Sequence, residues 1–187
     1  MGKTETLQPL ETLYQGVRFR SRLEARWAVF YDNIGMPWVY EPEGYMLKDG
    51  LCYLPDFYLP KLKAFIEIKP EEPSKKEYDK CTLLAELTRK KVYLFFGPIP
   101  YGREGSYEYC CLSSEFSNSA YCFLPGERGG DYAHAWCQCP VCKRIGIQYE
   151  GRAGRLCRCT AGDHGWNPFS PTLVAAYKAA RSERFGL

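Results

Sequence analysis

With 187 residues, 45% of them hydrophobic, the chain has enough apolar mass for a packed core, which excludes a free-standing disordered protein. Its formal net charge of +3 is too small to mark a nucleic-acid binder by total charge, so any such argument rests on how charge is distributed. No run approaches the roughly 20 apolar residues of a membrane span and the polar start lacks a signal-peptide core, so an intracellular, cytoplasmic protein with no membrane partner is expected.

Residues 1–13 are polar and are expected to be extended or mobile. Ser21 and Glu24 then have the form of a capping box, and Leu23, Trp27, Phe30 and Ile34 follow at helical spacing, with Gly35 as the stop. This predicts an amphipathic helix over 21–34. Residues 38–41 and 44–47 read as strand, and Asp49-Gly50 as a hairpin turn that leads into the next strand.

Residues 51–70 carry the most information. Asp56 follows Pro55 inside an apolar run, where neither residue is favoured by strand propensity, so something other than local structure requires that carboxylate. A tight turn separates this strand from the next, in which Glu67 and Lys69 alternate with Ile66 and Ile68. The two-residue period puts the acid and the amine on one face. Taken alone, the pair reads better as a cross-strand salt bridge of little consequence. Pro70 and Pro73 end the sheet, Ser74 caps a second helix with Tyr78, Cys81, Leu84, Ala85 and Thr88 inward, and residues 91–96 form a buried strand.

The predicted order is therefore helix, three-strand meander, helix, strand. That order, with Pro55-Asp56 and Glu67-Ile68-Lys69 on the second and third strands, resembles the PD-(D/E)XK nuclease superfamily over about residues 14–97. The resemblance extends to junction-resolving and transposon-end-cutting endonucleases. It implies an α/β, restriction-endonuclease-like core that hydrolyses phosphodiester bonds in DNA with magnesium or manganese. Asp56, Glu67 and the backbone carbonyl of Ile68 would hold the cation, Lys69 would orient the attacking water or stabilise developing charge, and Glu24 fits the acid that many members contribute from the first helix. Glu24 is equally suited to returning the cap hydrogen bond.

After Gly97 the composition changes. Residues 98–135 read as a connector and a β-hairpin, with arms at 107–112 and 120–124. Ten cysteines without an export signal, several at C-x-C and C-x-x-C spacing, favour metal over disulfides. Cys139, Cys142, Cys157 and Cys159 are the expected tetrahedral thiolate set of a β-rich zinc ribbon over 136–165, with Cys137 and His164 as alternates. Residues 166–187 supply a terminal amphipathic helix. Lys143, Arg144, Arg152, Arg155 and Arg158 oppose only Glu150 over residues 137–160 and are candidate nucleic-acid contacts.

The resemblance thus implies a magnesium-dependent DNA endonuclease; with the cysteine spacing, the expectation is that it carries a structural zinc ribbon that binds DNA or a protein partner, and that it can form a dimer. The alternative is a catalytically silent nuclease fold that acts as a DNA- or protein-binding regulator. Phosphodiester chemistry needs hard oxygen ligands, and the ribbon needs soft sulfur, so the two metal sites require different residues.

Overall fold

A computed structural model describes residues 9–100, 119–127, 129–149, 156–157, 159 and 168–186. The chain opens on a hairpin of β1 (Thr12–Tyr14) and β2 (Val17–Phe19), closed by Gln15 and Gly16, both at positive φ (47° and 79°). Two such residues in succession give the backbone twist that joins antiparallel strands directly. Thr12 and Leu13 therefore lie in a strand, the extended one of the two states expected for residues 1–13.

Helix α1 (Arg22–Asn33) starts where Ser21 accepts a hydrogen bond from the Glu24 N–H, and it stops at Ile34 before Gly35, at φ 62°. Strands β3 (Val39–Tyr40), β6 (Phe57–Leu59) and β7 (Ala64–Lys69) form the expected meander. The expected lead of Asp49-Gly50 into the Asp56 strand is not seen. Those residues close a separate hairpin of β4 (Tyr45–Met46) and β5 (Cys52–Tyr53), and Asp56 precedes β6. Pro55 has no N–H to give a ladder, which separates β5 from β6.

Helix α2 (Lys75–Thr88) carries a complete capping box between Ser74 and Glu77 and returns the chain so that β8 (Lys91–Phe96) runs parallel to β7. Then come β9 (Ser119–Phe123), β10 (Gly130–Gln138), β11 (Ile145–Tyr149) and α3 (Pro171–Ser182). All three strands join one seven-stranded sheet, in the order β11-β10-β9-β8-β7-β6-β3.

Strand pairing thus runs on without a break past residue 97 and across residue 135, where a connector and a ribbon were expected to begin. Both edges of β9 are taken, by β8 and β10, so the hairpin expected for 107–112 with 120–124 is not how β9 pairs; its first arm lies outside the described residues. The strands assigned to a ribbon continue the sheet because their inner residues are apolar, and Trp136 on β10 is completely buried.

One face of the sheet packs Ile66, Ile68, Tyr93, Phe95 and Trp136 against Trp27, Phe30 and Tyr31 of α1 and Leu173 and Tyr177 of α3. Phe30 stacks on Tyr177 at 4.5 Å and 11°, which locks the two helices together. The other face packs Phe65, Val92, Leu94 and Phe123 against Cys81, Leu84 and Ala85 of α2, with Leu47 and Tyr53 from the small hairpin region. Glu67 and Lys69 follow Phe65 along this second face, where the small hairpin and α2 meet the ends of β6 and β7.

Candidate active site and metal centre

The β6–β7 register sets Phe57 opposite Ile66, so the next position outward brings Asp56 to Glu67. Asp56 Oδ2 accepts the Ile68 N–H at 2.7 Å, and Oδ1 accepts from Arg20 Nη2 at 2.6 Å. Of Ile68, whose carbonyl the resemblance nominated, it is the N–H that reaches Asp56. Glu67 is held at both oxygens: Lys69 Nζ lies 2.6 Å from Oε1, and Tyr53 donates its hydroxyl to Oε2 at 2.6 Å. A second carboxylate, Glu77 at the start of α2, stands 3.9 Å from the same ammonium.

Glu24 joins the group from α1. Its Oε2 accepts from the Tyr40 hydroxyl at 2.5 Å and its Oε1 from the Ser21 hydroxyl at 2.8 Å. The carboxylate therefore does not return the bond to the Ser21 backbone N–H, as Glu77 does to Ser74 in α2. The Arg20 N–H donates to Tyr40 Oη at 3.0 Å, and Arg20 Nε reaches Glu41 Oε1 at 2.7 Å. Glu24, Tyr40, Arg20 and Asp56 thus form one connected chain.

Three carboxylates, Glu24, Asp56 and Glu67, are only 8%, 2% and 4% exposed. Burial pushes Asp56 well above the usual carboxylate range, and the charges of Glu67 and Glu24 add to this, while Lys69 and the Ile68 N–H oppose it. Burial works against the Lys69 ammonium, but Glu67 and Asp56 outweigh it and raise its pKa, so the amine stays charged. Tyr53 is raised well above its ordinary value, by burial first and then by Cys81 and Glu67, and so stays a proton donor.

All four residues that the sequence nominated, Glu24, Asp56, Glu67 and Lys69, therefore converge. Arg20, Tyr40, Glu41 and Tyr53 were not foreseen; only the position of Arg20 beside the cap residue Ser21 hinted at its place. Carboxylate oxygens are hard donors suited to magnesium or manganese, and each keeps lone-pair capacity beyond its present bond.

The sulfur site lies at the tip of the β10–β11 hairpin. The side chains of Cys139, Cys142, Cys157 and Cys159 bring four Sγ atoms within 4.8 Å of one another. A tetrahedral zinc with Zn–S bonds of about 2.3 Å sets sulfurs about 3.8 Å apart, so these four cysteines could hold a metal such as zinc. Tight-turn geometry supports the first pair: the Cys142 N–H donates to Cys139 Sγ at 3.4 Å, and the Lys143 N–H to the Cys139 carbonyl at 3.1 Å. The Arg144 N–H, followed by contacts with the neighbouring thiols, lowers the Cys142 thiol to about 7.

The alternate ligand Cys137 points elsewhere. Its thiol donates to the Gly146 carbonyl at 3.7 Å, and burial pushes it up to about 12. His164 lies outside the described residues, as do Arg152, Arg155 and Arg158. Lys143 Nζ is spent on the Pro140 carbonyl at 2.7 Å, and Arg144 Nη1 on the Leu156 carbonyl at 3.0 Å. Both residues are exposed, yet the Arg144 bond ties the two halves of the cysteine cluster together, and that of Lys143 braces the turn between Cys139 and Cys142. Their structural use was not legible in the charge pattern.

No protein-family model matches the chain, and no curated protein matches it significantly. Among the described residues no helix is long and apolar enough to cross a membrane.

Proposed function

We propose that the protein is a metal-dependent endonuclease that hydrolyses phosphodiester bonds in DNA. The supporting observation is the meeting of Glu24, Asp56, Glu67 and Lys69 from three separate segments, with the acids buried and the lysine kept charged. Charged groups placed so far out of water cost stability, which points to use rather than to packing.

Asp56 and Glu67 would hold a divalent cation, which would supply charge neutralisation at the phosphate and make the attacking water more acidic. Asp56 is aimed by the Ile68 N–H, and Glu67 by Tyr53. Lys69, anchored on Glu67, offers its remaining N–H donors to the water or to a phosphate oxygen as charge develops. Tyr40 and Ser21 turn Glu24 into the site, where its carboxylate can orient the water or accept its proton. The cysteine cluster would hold zinc as a structural ion, and the hairpin it closes would contact DNA or a protein partner.

The test is cleavage of labelled duplex, junction, flap and single-stranded DNA with magnesium, manganese or chelator. The wild type should cut at least one substrate, and Asp56→Asn and Lys69→Met should each lose about 100-fold or more. Equal rates in all three proteins would overturn the assignment.

One observation favours a second reading, a catalytically silent binding protein. Every oxygen of Asp56 and Glu67 already has a partner within the chain. On that reading neither cleavage nor binding of a divalent ion at these acids would be found.

A further inference from the structure

The site contains two cations, and they are held differently. Lys69 is 22% exposed at its side chain and lies between Glu67 and Glu77, on the face covered by α2. Arg20 is 53% exposed and bridges two unlike carboxylates: Asp56, 3% exposed, through Nη2, and Glu41, 29% exposed, through Nε. Its Nε also lies 3.4 Å from Tyr40 Oη. An Arg side chain on the segment between β2 and α1 thus reaches a buried acid 36 positions away.

The bond to Asp56 conflicts with metal binding. A divalent ion and a guanidinium on one carboxylate repel each other, and of the pair it is Arg20 that is half-exposed while Asp56 is buried. Glu41 gives the guanidinium a second anchor that it already touches. Its planar fork of five donors also suits a phosphate oxygen pair. No other cation forms an ion pair with Asp56 among the described residues.

We infer that Arg20 and a divalent ion compete for Asp56, and that an ion bound there moves Arg20 onto Glu41, where its fork is presented to the substrate phosphate. Metal binding and phosphate binding are thereby coupled through one side chain. This inference rests on the nuclease reading, because it requires a divalent ion at Asp56.

Two substitutions separate it from a merely structural role, since they act in opposite directions. Arg20→Met removes the competing cation and should tighten Mn2+ binding. Glu41→Gln removes the anchor onto which Arg20 withdraws, strengthens its hold on Asp56, and should weaken Mn2+ binding only while Arg20 is present; a bare charge effect would persist in the Arg20→Met background. The readout is titration of the full-length, zinc-loaded protein with Mn2+, followed by electron paramagnetic resonance of the free ion, without nucleic acid. A shift of about 10-fold in each direction is expected. If both variants bind more weakly, or neither differs from the wild type, Arg20 only braces the fold and the inference fails.

The phosphate half is read by duplex binding in Ca2+, where Arg20→Met should lower affinity and reduce the salt slope by about one. An unchanged slope overturns that half. Failure of the underlying reading looks different: the wild type would then show no Mn2+ site that Asp56→Asn removes. Thermal denaturation of Arg20→Met and Glu41→Gln checks that both remain folded, and their opposite signs cannot arise from a shared loss of structure.

Discussion

Tyr53 on β5 and Glu67 on β7 share a 2.6 Å hydrogen bond although their strands lie in different sheets, and both side chains are buried. The small β4–β5 hairpin is thus tied to the site through a hydroxyl. Tyr53→Phe keeps the ring and its packing but leaves Glu67 Oε2 without this donor. A bond to a charged group contributes about 1.5–3 kcal/mol, so urea unfolding should show a loss of that size. No change in midpoint would mean that water replaces the hydroxyl without cost.

Burial raises the pKa of Asp56, and the sign of its effect on stability follows. The folded state binds the proton more tightly than the unfolded chain, whose carboxyl titrates near 3.9. The contribution of Asp56 to stability, relative to asparagine, is fullest below that pH and is lost as pH rises through the elevated folded value. In chelator, Asp56→Asn should therefore gain on the wild type between pH 5 and 8, as measured by urea midpoints. A wild type that gains on the variant instead would show that Arg20 and Lys69 overcompensate for burial.

The cysteine cluster is continuous with the main sheet through β10, whose Trp136 packs against Phe30 and Tyr31 of α1. Elemental analysis should find about one zinc per chain. Stripping it, or making Cys139→Ser, should lower the melting temperature of the whole protein in a single transition rather than release an independent module. A metal-free protein with unaltered melting would remove the assignment.

Arg144 serves the cluster twice, through its backbone N–H to Cys142 and its guanidinium to the Leu156 carbonyl. Arg144→Ala retains the first contact and loses the second. Competition with a colorimetric chelator should show zinc affinity reduced by about 10–100-fold, the scale of outer-sphere supports in metal sites. Unchanged zinc affinity with weaker DNA binding would return Arg144 to the role that its charge suggested.

Legibility in the sequence follows the range of the interaction concerned. Helix α1 could be read because Ser21, Trp27, Phe30 and Gly35 fall within a few turns of one another. Asp56, Glu67 and Lys69 stood out because charge in an apolar strand has no local cause. The cysteines were legible by spacing. The β1–β2 turn was hidden because Gln15 rarely takes the positive φ it has here. Arg20 and Tyr40 entered the site through contacts across 16 to 36 positions, which no short pattern encodes. Joining β9, β10 and β11 to the main sheet depends on which edge was vacant, and alternation along a strand does not reveal its neighbour.

From β6 to β11 every strand pairs with its successor in the chain, so the sheet can be laid down in the order of translation. Helix α1 has no such convenience. Its aromatic face, with Phe30 against Tyr177, is completed only by α3, which follows all the strands. At typical elongation rates the interval between the two helices is on the order of ten seconds. During that interval the side of Phe30 that Tyr177 will cover stays open, and it is then that chaperone capture or aggregation competes most strongly with folding.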